Sequence, residues 1–300
     1  MSLNDLGQPE ATSTSTSVSL CRCQCGCATR TRRYPSDLTD AEWSIVEPLL
    51  PGSLSQAGRG GRPEQHHRRT IMDAIRYIAD NGAKWRALPA DFPPWPTVYG
   101  FFAAWARDLV WALVTDELRA LARVAAGRNE QPSAGSIDSQ SVHESADAVV
   151  GKDTSGFDPH KKVNGRKRHI VVDVLGFLVA VTVTAANVQD RIPAVPLLAQ
   201  AFRRGIRHIW ADSAYHGEDL AVAARELEMT LDVVHRPRGR GNGFTVVPRR
   251  WVVERTLAWL SRRRRCARDY ERLPSTHEAW VHVAASFTML RRLASTTKPA

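Results

Sequence analysis

Long apolar runs are missing from this chain. Runs such as Ile170 to Val172 and Phe177 to Val183 fall far short of the ~18 to 20 residues that a membrane span needs. The N-terminus also lacks the basic-then-apolar pattern of a signal peptide. The expectation is a soluble, cytoplasmic protein with no membrane partner. Cysteine is scarce outside one short run: Cys21, Cys23, Cys25 and Cys27 fall in CRCQCGC, whose alternate spacing differs from the C-x2-C knuckles of structural zinc sites. The fifth, Cys266, stands alone among arginines. Apolar periodicity is absent from residues 1 to 33, which are rich in Ser and Thr and end in a basic stretch. They read as a disordered tail. Acid is in deficit, with 31 Asp+Glu against 41 Lys+Arg for a net charge of +10 and a pI of 9.8, which points to a polyanionic partner without saying which. Against these shortages, 43% hydrophobic residues in 300 suffice for a buried core and exclude wholesale disorder. The length suits two domains.

Residues 34 to 126 read as a small all-helical domain. Thr39 and Glu42 in LTDAEWSIVEPLLP form a capping box, with Trp43, Val46, Leu49 and Leu50 at helical spacing. After the Gly-rich GRGGRP (58–63), Ile71, Met72, Ile75 and Ile78 make one apolar face behind His66, His67, Arg68 and Arg69. Pro89, Pro93 and Pro94 break the stretch from Trp85 to Trp95, and from Thr97 to Arg123 the helical pattern returns. The spacing is that of a helix-turn-helix, with Lys84, Trp85, Arg86 and Trp95 as candidate DNA contacts; a packing role for the tryptophans is the competing reading.

Beyond the linker AAGRNEQPSAG the period becomes strand-like, and residues 133 to 300 read as a second domain. SIDSQSV (136–142) alternates, RKRHIVVDV (166–174) and FLVAVTVTA (177–185) flank Leu175-Gly176 as a hairpin, and IRHIWADSAY (206–215) ends a fourth strand in a turn. Asp190 stands where a cap would begin a helix over 191–204, a helix over 218–228 precedes a fifth strand, LDVVH (231–235), and Pro248 and Thr276 open two further helices. Three strands beginning with a hairpin, then helix, strand, helix, strand, helix, is the element order of a ribonuclease-H-like α/β layer.

That order would bring three carboxylates together. Asp138 lies mid-strand, where an unpaired charge is costly to bury. Asp212 lies at the carboxyl end of the fourth strand, where open α/β sheets place ligand sites. Glu254 lies on a helix in a polar strip with Arg250 and Ser261. An oxygen cluster of this kind suits Mg2+, or Mn2+, as a pair of ions facing a phosphodiester. Asp173, beside the hairpin turn, and Asp190 are assigned structural roles, and Glu144 falls past the end of the strand. The basic segments point the same way: HKKVNGRKRH (160–169) holds Lys161, Lys162, Arg166, Lys167 and Arg168 with no acid, and residues 236–272 hold twelve Arg against three acids. Concentrated around Glu254, this charge reads as a phosphate-binding surface.

These blocks resemble the DDE-type transposases of bacterial insertion sequences, in particular the group named after insertion sequence five. The resemblance covers about residues 34 to 293. It rests on SIDSQSV, GFDPHKKVNGRKRHIVVDVLGFL, ADSAYHG and RRWVVERTLAWLSRRRR, with YPSDLTDAEWSIVEPLLP and GAKWRALPADFPPWPTVYGFFAAW in the helical region. It implies Asp138, Asp212 and Glu254 as the catalytic, metal-holding triad. It implies Arg250 as the arginine of the Y-x2-R-x3-E-x6-K signature, while Val247 replaces the tyrosine and Ser261 the lysine, leaving Arg262 as the nearest cation. The implied partners are double-stranded DNA, both terminal inverted repeats and target, and further copies of the chain in a synaptic complex, acting in the bacterial cytoplasm on nucleoid DNA. A nuclease that cuts without strand transfer, or a repressor derived from a transposase, would share much of this pattern.

Overall fold

The computed structural model describes residues 31–52, 64–146, 150–234 and 249–296. The cysteine run, GRGGRP, His235, Val247 and Pro248 lie outside the described residues. The chain opens with α1 (Asp40–Val46), whose Thr39–Glu42 capping box is fully formed, and α2 (Arg68–Asn81). The helical stretch expected from 97 to 123 is two helices, α3 (Trp95–Arg107) and α4 (Val110–Ala125). The break falls at Leu109, which takes a left-handed φ of 57°; leucine rarely adopts that conformation, so the sequence carries no breaker signal there.

Strand β1 (Ala134–His143) pairs antiparallel with β3 (Val163–Asp173) and parallel with β5 (His208–Ala211). On its other edge β3 carries both β2 (Gly156–Asp158), a short strand the sequence did not announce, and β4 (Leu178–Ala185), completing the expected hairpin. Strand β6 (Thr230–Val233) extends the sheet beyond β5. Helix α5 (Arg191–Arg203) and α6 (Glu218–Glu226) cover one face, burying Ala194, Leu197, Leu198 and Leu220 against Ile137, Val171, Val179 and Ile209. On the other face lie α7 (Trp251–Ser261), α8 (Arg264–Ala267) and α9 (Pro274–Thr296). Helix α9 begins two residues before the expected cap at Thr276.

The amino-terminal helices do not hold a core of their own. Their apolar faces merge with α7, α9 and the hairpin into one continuous cluster that includes Ile75, Phe102, Trp111, Ile170, Leu257, Trp280 and Leu290. Phe102 stacks on Trp280 with ring centroids 4.3 Å apart. The charged partners follow the same seam: Arg123 of α4 pairs with the buried Asp173 carboxylate, which also accepts the backbone N–H of Leu175 and of Phe177 and so shapes the hairpin turn. The structural role expected of Asp173 is this one. Among the described residues no helix is long and apolar enough to cross a membrane.

Candidate active site

Three elements deliver the acidic residues to one point. Asp138 sits mid-way along β1, opposite Ile170 of β3 and just past the ladder with β5, and accepts the Ser139 backbone N–H at 2.7 Å. Asp212 immediately follows β5, and its side chain accepts the Ala214 N–H at 2.8 Å, capping a short 3-10 turn over Ser213–Tyr215. Glu254 lies in the first turn of α7. That helix is fixed against the sheet by Thr256, which donates to the Gly176 carbonyl at 2.9 Å, and by Arg255, which donates to the Leu175 carbonyl at 2.9 Å. Gly176, at a φ of 86°, is needed there: a Cβ would stand 2.8 Å from the Arg255 guanidinium. The turn before α7 is tied to β1 by Ser136, whose hydroxyl donates to the Arg249 carbonyl at 2.8 Å.

Arg250 gathers the three. One nitrogen, Nη2, lies 3.6 Å from Asp138 Oδ2, 3.5 Å from Asp212 Oδ2 and 3.8 Å from Glu254 Oε1. The guanidinium is 6% exposed, Asp138 16% and Glu254 45%, so the cluster runs from a buried floor to an open rim. Burial pushes the Asp138 carboxyl up to about 6, with the Asp212 charge adding to it; the Ser139 N–H, Arg250 and Lys161 pull the other way and do not prevail. Tyr215 is buried behind the site, and its phenol is raised well above its ordinary value, first by burial and then by the charges of Asp138, Asp190 and Asp212. It stays a neutral hydroxyl.

The donor set is all carboxylate oxygen, the kind that hard divalent cations take. Its chemistry therefore fits Mg2+ or Mn2+. The oxygens stand around the Arg250 nitrogen at ion-pair distance, and among the described residues no three acidic, His or Cys side chains form a ready metal-holding group as they stand.

Residues 129–289 match the family described as "Transposase DDE domain", and residues 38–115 match "Putative transposase of IS4/5 family". The chain belongs to the DDE transposase family of the IS4/5 kind. A relative in Burkholderia cepacia named "Putative transposase for insertion sequence element IS402" is 33% identical over 141 residues, 44% of this chain and 66% of that protein. The chain thus spans just under two thirds of that relative's length. Family membership also implies the ribonuclease-H-like arrangement for the mixed α/β sheet on which the three acids stand.

The basic residues divide sharply. Lys161, Lys162, Arg262 and Arg86 are exposed and remain free to face a phosphate backbone. Arg166, Lys167 and Arg168 are buried, which corrects their assignment as DNA contacts. Arg166 is held by Asp269 at 3.0 Å and by the Glu271 and Arg272 carbonyls at 2.8 Å each. Arg168 donates to the Cys266 carbonyl at 2.9 Å and to Ser261 at 2.8 Å, and it pairs with Gln140. Ser261, in the lysine's signature position, therefore serves a structural arginine. Lys167 reaches Asp190 at 2.9 Å. Asp190 in turn does not cap α5: its backbone is already helical, and its side chain makes no capping bond. Several arginines of 236–272 are spent likewise, Arg263 on Asp80 and Arg265 on Glu271.

Trp85 takes up the packing role that was the competing reading. Half-buried, it packs against Phe102, Tyr99 and Trp280 at centroid distances of 5.2 to 5.7 Å, so packing accounts for it. Arg86 lies over the Trp95 ring at 5.3 Å.

Proposed function

We propose that the chain is the transposase of an insertion sequence, cutting phosphodiester bonds at the ends of its element and joining the freed 3′ hydroxyl to target DNA. The observation that carries this is the placing of Asp138, Asp212 and Glu254, from two strands and a helix far apart in sequence, within 3.5 to 3.8 Å of a single nitrogen. Three converging carboxylates repel one another, and a pair of divalent cations relieves that repulsion while offering a docking place for a phosphate. When bound, Mg2+ or Mn2+ would supply Lewis-acid activation of the attacking oxygen and stabilisation of the leaving one.

The remaining work falls to the chain. Asp138, Asp212 and Glu254 would hold the ions. Arg250, among the three carboxylates, would offset the charge of a phosphate at the site. Lys161, Lys162 and Arg262 bring the DNA backbone to the site without reading its sequence. Sequence choice belongs to the helical segment 34–126, with Arg86 beside Trp95 as a candidate contact. The substrates are the terminal inverted repeats and target duplex. Handling two ends at once calls for more than one copy of the chain, acting on nucleoid DNA in the bacterial cytoplasm.

The test is movement of a marker flanked by the repeats that border the coding DNA, in a bacterial host supplied with the chain in trans. Movement with the wild type, and none with Asp138→Ala, Asp212→Ala or Glu254→Ala, is the expected result. Cutting of the ends without recovery of joined products would favour a nuclease, and repression without cutting would favour a DNA-binding regulator.

A further inference from the structure

The lysine position of the signature holds Ser261, whose hydroxyl donates to the Leu257 carbonyl at 3.0 Å and accepts from Arg168 at 2.8 Å. Arg262 stands eight residues beyond Glu254, ~12 Å further along the helix axis, and Arg255 is bonded to the Leu175 carbonyl. Helix α7 therefore offers the triad no cation besides Arg250 at its start. One arrives from the sheet instead. Strands β2 and β3 are joined by a turn over 159–162, and from it Lys161 reaches β1, its Nζ 3.4 Å from the carbonyl of Ser139, the residue after Asp138. The side chain is exposed, and its charge is close enough to act on the Asp138 carboxyl.

The turn is built to hold that aim. Asp158, 4% exposed, ends β2, and its Oδ1 accepts the backbone N–H of His160 at 3.0 Å and of Lys161 at 3.1 Å. Its Oδ2 accepts the Ser141 hydroxyl at 2.6 Å, which ties the turn to β1. Lys162 then takes a left-handed φ of 52° before β3 begins, a conformation that lysine rarely adopts. A buried carboxylate spent on two backbone N–H groups fixes the backbone of Lys161 before any ligand arrives, so less ordering entropy opposes binding.

We infer that Lys161 clamps a non-bridging oxygen of the phosphate at the triad, and that Asp158 is the residue that positions it. The inference rests on the DNA-cutting reading of the site and deepens it, setting Lys161 apart from the exposed cations that meet the DNA backbone elsewhere. Two considerations select a phosphate oxygen. An ammonium group has three donors and no acceptor, and the carbonyl at 3.4 Å is a long, neutral partner for one of them; a phosphate oxygen beside Asp138 offers a charge-assisted bond of about 2.7 to 2.9 Å. Lys167, on the neighbouring strand, shows the contrast. Its ammonium is already held by Asp190 at 2.9 Å and by the Val188 carbonyl at 3.0 Å, in a buried setting.

The experiment measures binding of the full chain to a duplex of the repeat that borders the coding DNA, either native or with an uncharged methylphosphonate in place of the phosphate at the element's end. It is run in Ca2+, which takes the same carboxylate ligands, with the DNA confirmed to be uncut. Lys161→Met should weaken binding of the native duplex about tenfold and leave binding of the methylphosphonate duplex nearly unchanged. Lys162→Met should weaken both by the same factor. Asp158→Ala, which keeps Lys161 but removes the lock on its turn, should show the pattern of Lys161→Met. Asp158→Asn, which keeps an acceptor for the two N–H groups, should restore most of the binding. Lys161→Met, at an exposed position, carries the test whether or not Asp158→Ala folds. Equal losses on the two duplexes in Lys161→Met, or no loss on either, overturn the clamp and leave the transposase reading standing. An Asp158→Ala protein that folds and binds as the wild type does overturns the positioning role. A wild type that binds neither duplex overturns the transposase reading, and the clamp with it.

Discussion

Replacing Asp138 with Asn should make the protein more stable at neutral pH while abolishing its chemistry. The carboxyl is raised from 3.8 to about 6, chiefly by burial and then by Asp212, and a gap of that size corresponds to about 3 kcal/mol. The folded state holds this proton more tightly than the unfolded chain does. Stability is therefore fullest below pH 3.8, declines as the pH rises through about 6, and is flat above that. Asparagine carries no charge to desolvate and is nearly the same size. The Asp138→Asn protein should exceed the wild type by up to about 3 kcal/mol at pH 7, and the two should converge near pH 4. The assay is denaturant unfolding of both proteins in EDTA at the two pH values, compared through midpoints and slopes. Titrating groups remote from the site are common to both proteins and drop out of the difference. An Asn variant no more stable at pH 7, or a gap of the same size at pH 4, would refute the claim that the site spends stability to keep this carboxylate ionised.

The division between buried and exposed cations gives two opposed expectations. Arg166→Met should cost about 3 to 5 kcal/mol in thermal or denaturant unfolding, because the buried Asp269 Oδ2 loses its Arg166 partner, keeping only His277 and the Glu271 N–H on Oδ1, while DNA affinity of the folded protein is unchanged. Lys161→Ala, Lys162→Ala and Arg262→Ala should leave stability within about 0.5 kcal/mol and each lower the slope of log affinity against log salt by about one; a filter-binding series at several salt concentrations reads this out. Phe102→Ala, which removes a ring stacked on Trp280 across the seam between the amino-terminal helices and α9, should cost about 3 to 5 kcal/mol in a single transition seen equally by helical and tryptophan signals. Separate transitions for the amino-terminal helices and the sheet would contradict the shared core.

The features most legible in the sequence were those carried by local pattern. The Thr39–Glu42 box, the Leu175-Gly176 hairpin and the strand ending at Asp212 each have their own short-range signal, and the element order they imply was enough to bring Asp138, Asp212 and Glu254 together. What the sequence could not show was which charges are spent inside. Strand β3 has neighbours on both edges and helices on both faces, so its residues from Gly165 to Asp173 are buried without alternation. Arg166, Lys167 and Arg168 looked like a solvated basic run because their partners, Asp269, Asp190 and Gln140, lie far away or on another strand. Trp85 stayed open between packing and DNA contact for a related reason: its packing partner Trp280 is nearly two hundred residues distant. Leu109 broke a helix without glycine or proline, and Trp251, apolar like its neighbours in α7, points outward. Only the packing of α7 on the sheet decides which of its faces is wet.

The central claim is that three carboxylates from separate elements make one site that cuts and joins DNA. Strand transfer in vitro tests it most directly, with labelled element ends, unlabelled target duplex and Mg2+ or Mn2+, comparing the wild type with Asp138→Ala, Asp212→Ala and Glu254→Ala after confirming that each variant is folded and binds the ends. Joined product from the wild type, and none from any of the three, is the predicted result. Wild-type levels of joining by any one of them would contradict it.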